Sequence, residues 1–196
     1  MPTMSRIESA FCRSTPWRAF TRRTVLPWAL QGLTPAGNVL EIGAGSGAMA
    51  AEILSAYPDI RMTVTDFDET MVAAARRRLA PFGSRATALQ ADANALPFGD
   101  NTFDTVLTFI MLHHTVTWEQ TLAEAVRVLR PGGGLIGYDL LSLRPTRILH
   151  RLEGAPHRLI GHGELGPTLH KLPLNDVHLR HNPLLVRFNG TKSSQQ

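Results

Sequence analysis

Hydrophobic residues along this chain alternate between two spacings. Short apolar runs stop at a glycine or an acid, and between them apolar residues return every three or four positions. "NVLEI" (38–42) reads as a buried strand running into glycines, and residues 46–56 as a helix with Met49, Ile53, Leu54 and Ala56 on its apolar side, stopped by Pro58. "RMTVTDF" is rich in β-branched residues and predicts a second strand. Asp68 then caps a helix with Met71, Val72, Ala75 and Leu79 on one face and Arg76 to Arg78 on a solvated one. "ATALQAD" and "TFDTVLTFIML" predict strands three and four. Thr117 and Gln120 have the spacing of a capping box before a helix with Leu122, Ala125, Val126 and Leu129 inward. Arg130 to Gly134 ends that helix, and "LIGYDLL" is strand five.

Strand and helix in repeated alternation imply a parallel sheet covered by helices on both faces, a three-layer α/β/α sandwich. Past Leu141 the periodicity weakens. Short helices are expected near 147–153 and 164–172, then "DVHLR" and "LLVRF" around His181-Asn182-Pro183 form an antiparallel hairpin. The expected organisation is N-terminal cap helices over 1–37 and one α/β domain over 38–196, with 142–175 as a substrate-side insertion.

The chain has 196 residues, 43% of them hydrophobic and 18% charged, which suits one packed domain. No run is long enough for a membrane span, and the N-terminus lacks the apolar core of a secretory signal, so a cytoplasmic protein is expected. Cys12 is the only cysteine, which excludes intramolecular disulfides and thiolate metal clusters. No metal is expected. The net charge of +4 divides into +4 over 1–37, −5 over 38–140 and +5 over 141–196. Basic flanks suit an anionic or lipid-like acceptor, while nucleic acid is a less favoured partner because no long Lys/Arg block occurs.

The candidate chemistry starts at "VLEIGAGSGAMA". A strand, a glycine turn and a helix start put unpaired N–H groups and bare backbone at the sheet's carboxyl end. Gly43-x-Gly45-x-x-Ala48 also satisfies a dinucleotide fingerprint. A pyrophosphate would be repelled by Glu41, two residues before Gly43, whereas an ammonium group would be attracted. Asp66 ends the second strand and can accept from ribose hydroxyls of either ligand, with Phe67 beside an adenine. Asp92, after the third strand, can accept from an adenine amino group, with the Ala93 N–H on a ring nitrogen.

Four stretches, "VLEIGAGSG", "VTDFDETMVAAARRRL", "LQADANALPFGDNTFDTVLTFIMLHH" and "EAVRVLRPGGGLIGYD", come in the order and spacing of a known family. Over 38–140 the chain resembles the class I S-adenosylmethionine-dependent methyltransferases, in their compact methyltransferase-11-like form. The resemblance implies a Rossmann-like sheet of order 3-2-1-4-5-7-6 with the last strand reversed. It implies S-adenosylmethionine as donor and S-adenosylhomocysteine as product. Glu41, Gly43, Ala44, Gly45 and Gly47 would contact the methionine end, Asp66 and Phe67 the ribose and adenine, Asp92 and Ala93 the adenine. Thr108 and Phe109 would line the methionine moiety. The chain departs from the family over 142–175, where Gly166-Pro167 interrupts the usual long helix.

A sulfonium is already an activated methyl donor, so alignment dominates and a base is needed only for an acceptor that loses a proton. Candidates at strand ends are His113, His114, Tyr138 and Asp139, of which the histidines titrate nearest neutrality; each histidine could equally be a packed structural residue. "TFIML" lacks the Asn/Asp-Pro-Pro-aromatic signature of exocyclic-amine methylation, and the cysteine count excludes cysteine-cluster arsenite methylation. An O-, N-, C- or S-methyltransferase for a small-molecule or lipid-like acceptor remains. The alternatives are an RNA methyltransferase, a non-catalytic partner subunit, and a nicotinamide oxidoreductase, which would need the Tyr-x-x-x-Lys pair that Tyr138 and Ser142 do not supply.

Overall fold

A computed structural model of the chain describes residues 24–30, 32–142 and 158–194. Its elements are α1 (Leu26–Leu30), β1 (Asn38–Ile42), α2 (Ala48–Ala56), β2 (Arg61–Asp66), α3 (Glu69–Leu79), β3 (Ala86–Gln90), β4 (Phe103–Phe109), α4 (Trp118–Val128), β5 (Leu129–Leu140), α5 (Leu165–His170), β6 (Leu174–His181) and β7 (Leu185–Lys192). The seven strands form one sheet in the expected order, β3-β2-β1-β4-β5-β7-β6. β1 to β5 are parallel to one another, and β7 is antiparallel to both β5 and β6.

Both faces of the central strands are covered, which is why they read as nearly continuous apolar runs. Val39, Leu107 and Ile136 pack with α1, α2 and α3; Leu40, Val106 and Leu135 pack on the other face with α4 and α5. Gly137 of β5 stands opposite Phe188 of β7, and that ring fills the space a Cβ would need. The C-terminal hairpin is thereby seated on the sheet rather than appended to it. α1 is tied on by Trp28, whose ring meets Tyr138 edge-on at 5.0 Å and lies under the Arg187 guanidinium at 4.7 Å.

Several boundaries differ from the sequence expectation for physical reasons. Strand four stops at Phe109 because Ile110 has φ 50°, outside strand geometry, and Leu112–His114 is a single 3₁₀ turn. Strand three stops at Gln90, leaving Asp92 in a turn. The Thr117 hydroxyl makes no cap: its backbone sits at φ −107°, ψ 49°, and the Gln120 side chain donates to the Asn94 carbonyl instead (2.9 Å). Asp68 does cap α3, accepting from the Thr70 N–H at 2.7 Å. Arg76 to Arg78 are not simply a solvated face. Arg76 donates to the Ala88 carbonyl (3.1 Å), and Arg78 reaches Ser46, donating to its carbonyl (2.9 Å) and hydroxyl (2.6 Å). The expected helix near 164–172 is α5; the one near 147–153 and most of the N-terminal cap lie outside the described residues.

Candidate functional site

A cavity of about 270 Å³ opens beyond the carboxyl ends of β1 to β4, where open α/β sheets bind ligands. Gly43 and Gly45 wall it from β1, Asp66, Phe67 and Asp68 from β2, and Asp92 and Ala93 from the turn after β3. Ile110, Met111, His114 and Thr115 close it from the segment after β4.

The loop after β1 is built around left-handed backbone. Gly43, Gly45 and Gly47 have φ 68°, 54° and 72°. At Gly43 the room for a Cβ is taken by Met111, whose own Cβ would lie 2.7 Å away, and at Gly47 by Ala75 at 3.2 Å. Only Gly45 has nothing within 4 Å on that side, so it alone offers bare backbone to a ligand. The Ala44 N–H donates to the Thr65 carbonyl (2.9 Å), and Arg78 holds Ser46 from behind.

Asp66 fixes the loop as well as facing the cavity. One carboxylate oxygen accepts the Gly45 N–H (2.8 Å) and the other the Asp68 N–H (3.0 Å). Each oxygen keeps a further lone pair for a ligand hydroxyl. Asp92 is exposed, borders the cavity and accepts the Asn94 N–H (2.9 Å) in an Asx turn. Phe67 is 58% exposed, a large apolar ring at the mouth.

Glu41 behaves differently. It is 3% exposed, and its Oε2 has no hydrogen-bond partner among the described residues. Burial, with a smaller contribution from the charge of Asp66, pushes its carboxyl up to about 8. Thr108, opposite Ile42 of β1, also buries an unpartnered hydroxyl. Phe109 is core, stacked on Tyr138 at 5.1 Å and 30°. Glu41, Ala44, Gly47, Thr108 and Phe109 therefore stand behind the cavity wall, while Gly43, Gly45, Asp66, Phe67, Asp92, Ala93 and His114 border the cavity.

The two histidines separate. His114 borders the cavity; His113 is 1% exposed and pairs through Nδ1 with the Asp139 carboxylate at 2.5 Å. Tyr138 is buried, and its hydroxyl is pushed above the usual phenol range by burial and then by the charges of Glu41 and Asp139, so it is poorly suited to accept a proton. Thr65, Met71, Ile110, Met111 and Thr115 line the site without having been singled out in the sequence. Ile110 had the clearest available signal, lying one residue past an apolar strand.

Sequence comparison adds the decisive observation. The profile of the family described as "Methyltransferase domain" matches residues 39–133, the stretch that carries every cavity wall. This chain carries a class I methyltransferase domain. A "Ubiquinone/menaquinone biosynthesis C-methyltransferase UbiE" of Desulfotalea psychrophila is 37% identical over 123 residues, covering 63% of this chain and 47% of that protein. A "Demethylmenaquinone methyltransferase" of Clavibacter sepedonicus is 35% identical over 135 residues, covering 69% and 51%. The chain spans about half the length of the curated relatives it matches. A solved Haemonchus contortus phospholethanolamine N-methyltransferase 2, in complex with phosphomonomethylethanolamine and S-adenosylhomocysteine, superposes with TM-score 0.77 at 15% identity, covering 88% of this chain and 53% of that one. That likeness is one of fold.

The site fits the methyltransferase donor, S-adenosylmethionine. Its amino acid end brings an ammonium, and Glu41, a buried carboxylate whose Oε2 has no partner among the described residues, stands behind the loop; its ribose and adenine bring hydroxyls, an amino group and a flat ring, and the cavity is bordered by the acceptors Asp66 and Asp92 and the ring of Phe67. Once ionised, Glu41 would oppose a pyrophosphate. Among the described residues no helix is long and apolar enough to cross a membrane.

Proposed function

We propose that this chain binds S-adenosylmethionine in the cavity and transfers its methyl group to a small-molecule acceptor, an aromatic ring carbon of quinol type. The observation that carries the donor half is Glu41: a buried carboxylate whose Oε2 has no partner among the described residues, behind the glycine loop of a cavity whose own carboxylates are already held. The acceptor half is supported by the quinone-biosynthesis methyltransferases to which 123 and 135 residues of the chain are similar.

Bound there, the donor supplies a sulfonium-activated methyl group. Glu41 holds the ammonium, and Gly45 lets the amino acid lie against the backbone. Asp66 takes the ribose hydroxyls on its remaining lone pairs, Phe67 covers the adenine, and Asp92 with the Ala93 N–H reads the adenine edge. Thr108 and Phe109 support the methionine end from beneath. His114 takes the hydroxyl proton of the quinol, so that ring electrons form the new carbon–carbon bond as the carbon–sulfur bond breaks. The ring carbon then releases its hydrogen to solvent as a proton, and His114 returns a proton to the oxygen as the aromatic system is restored. No metal takes part in this reading.

The test is incubation with methyl-labelled donor and reduced 1,4-naphthoquinol. Label on a ring carbon, with one S-adenosylhomocysteine formed per methyl, is expected. Binding of S-adenosylhomocysteine without label on quinols or phenols would overturn the acceptor assignment; no binding would overturn the donor assignment.

A further inference from the structure

Among the described residues, the His113–Asp139 pair is a fully buried polar cluster that the reading above leaves without a task. Asp139, the penultimate residue of β5, has no exposed surface. One carboxylate oxygen accepts the Leu112 N–H (2.7 Å); the other accepts the Leu140 N–H (2.6 Å) and faces His113 Nδ1 (2.5 Å). A buried carboxylate is an acceptor only, so Nδ1 carries the hydrogen and one ring orientation is selected. The cost of burying the charge is offset by three donors, which removing any one would expose.

The pair does not touch the cavity, but its neighbour does. The His113 and His114 rings lie 4.1 Å apart at 40°, and His114 is the one that borders the cavity with Gly43, Gly45 and Met111. The turn is also held from outside. The His113 carbonyl accepts the Arg158 N–H (2.9 Å), and the Arg158 guanidinium forks onto Glu119 (2.7 and 2.8 Å) across the Trp118 ring at 5.1 Å. β5 thus grips the turn from below and α4 from the side, and the ring between them is His113. Neutral packing would hold the turn equally well; a three-donor carboxylate instead fixes a ring orientation.

We propose that Asp139 and His113 are positioning residues that set the ring of His114 in the donor cavity, acting through the His113 ring and touching neither donor nor acceptor. The inference rests on the reading of that cavity as the donor site and of His114 as the group that takes the acceptor proton. Among the described residues, the charged groups around the pair and its neighbour include Asp139 on β5, Arg158 with Glu119 at α4, and Asp66, Asp68 and Asp92 on the cavity.

The test uses two variants that fail in different ways. Asp139→Asn keeps the His113 ring and weakens its anchor. His113→Asn places an amide nitrogen where Nδ1 stood, keeping a donor to Asp139 and the turn while removing the ring. Histidine-selective ¹⁵N–¹H NMR of the wild-type protein should show His113 protonated at Nδ1, and His114 ring signals that move when S-adenosylhomocysteine is added. In both variants the His114 response should collapse while calorimetric affinity for S-adenosylhomocysteine stays within about threefold, since no donor contact is lost. With a working acceptor, kcat should fall about tenfold in either variant with donor KM little changed. Neither substitution should lower it further once His114→Gln is in place. An unchanged His114 response in His113→Asn, or a full additional loss of kcat on the His114→Gln background, would overturn the proposal. If His114→Gln alone turns over at the wild-type rate while the NMR responses appear as stated, the positioning holds and the base role of His114 is what fails.

Discussion

The two ends of the cavity are prepared for a ligand by opposite means. At the ends of β2 and β3 the carboxylates are accessible and already hydrogen-bonded by the chain. Asp66 holds Gly45 and Asp68, Asp92 holds Asn94, and a ligand takes the lone pairs left over. At the end of β1, Glu41 is sealed from water and holds nothing through Oε2. The outer end is complete without a ligand; the inner end has a desolvated carboxylate that only a cation or a proton satisfies. Affinity at the outer end should therefore follow geometry, and at the inner end charge and pH.

The largest effect should come from Asp66→Ala, which removes a ligand acceptor and releases the Gly45 N–H together. Two charge-assisted hydrogen bonds at about 1.5 kcal/mol each correspond to roughly a hundredfold loss of S-adenosylhomocysteine affinity by calorimetry. A loss under fivefold would break the comparison at its outer end.

Glu41→Gln should follow, with about a tenfold to thirtyfold loss near pH 8 that shrinks as pH is lowered. In the ligand-free protein the Glu41 carboxyl is held up near 8, so below that pH binding an ammonium must expel its proton. Affinity should rise with pH toward about 8, and calorimetry in two buffers of different ionisation heat should show proton release at pH 7. In the glutamine variant both signatures should vanish.

The same group predicts stability without ligand. The folded carboxyl keeps its proton where the unfolded one, near 4.5, has released it. Its contribution is full below about 4.5 and is lost as pH rises through about 8, at most about 1.4 kcal/mol per pH unit. Chemical denaturation across that window should show a downward slope that Glu41→Gln flattens. Phe67→Ala should be the mildest change, about a threefold loss of affinity with unaltered stability, because the ring is mostly in solvent.

The sheet was legible because buried parallel strands and their covering helices have different periods, and the strand order followed from the family resemblance. The cavity residues Gly43, Gly45, Asp66, Phe67, Asp92 and Ala93 were legible because they end strands or follow them within three residues. What the pattern hid was reach. A helical period places Arg78 outward, but an arginine is long enough to fold back onto Ser46. The glycines looked alike in sequence, yet Gly43 and Gly47 are bare because Met111 and Ala75 fill their space, while Gly45 is bare toward the cavity. His113 and His114 were indistinguishable as neighbours; the β4–β5 pairing brings Asp139 to one of them and leaves the other on the cavity.

The claim that the inner carboxylate selects a methionine ammonium over a pyrophosphate is tested most directly by calorimetric titration of the full chain at pH 7.5 with S-adenosylhomocysteine and, separately, with NAD. One-to-one binding of S-adenosylhomocysteine with proton release, and no measurable heat from NAD, is the predicted result. Saturable NAD binding with none of S-adenosylhomocysteine would contradict it.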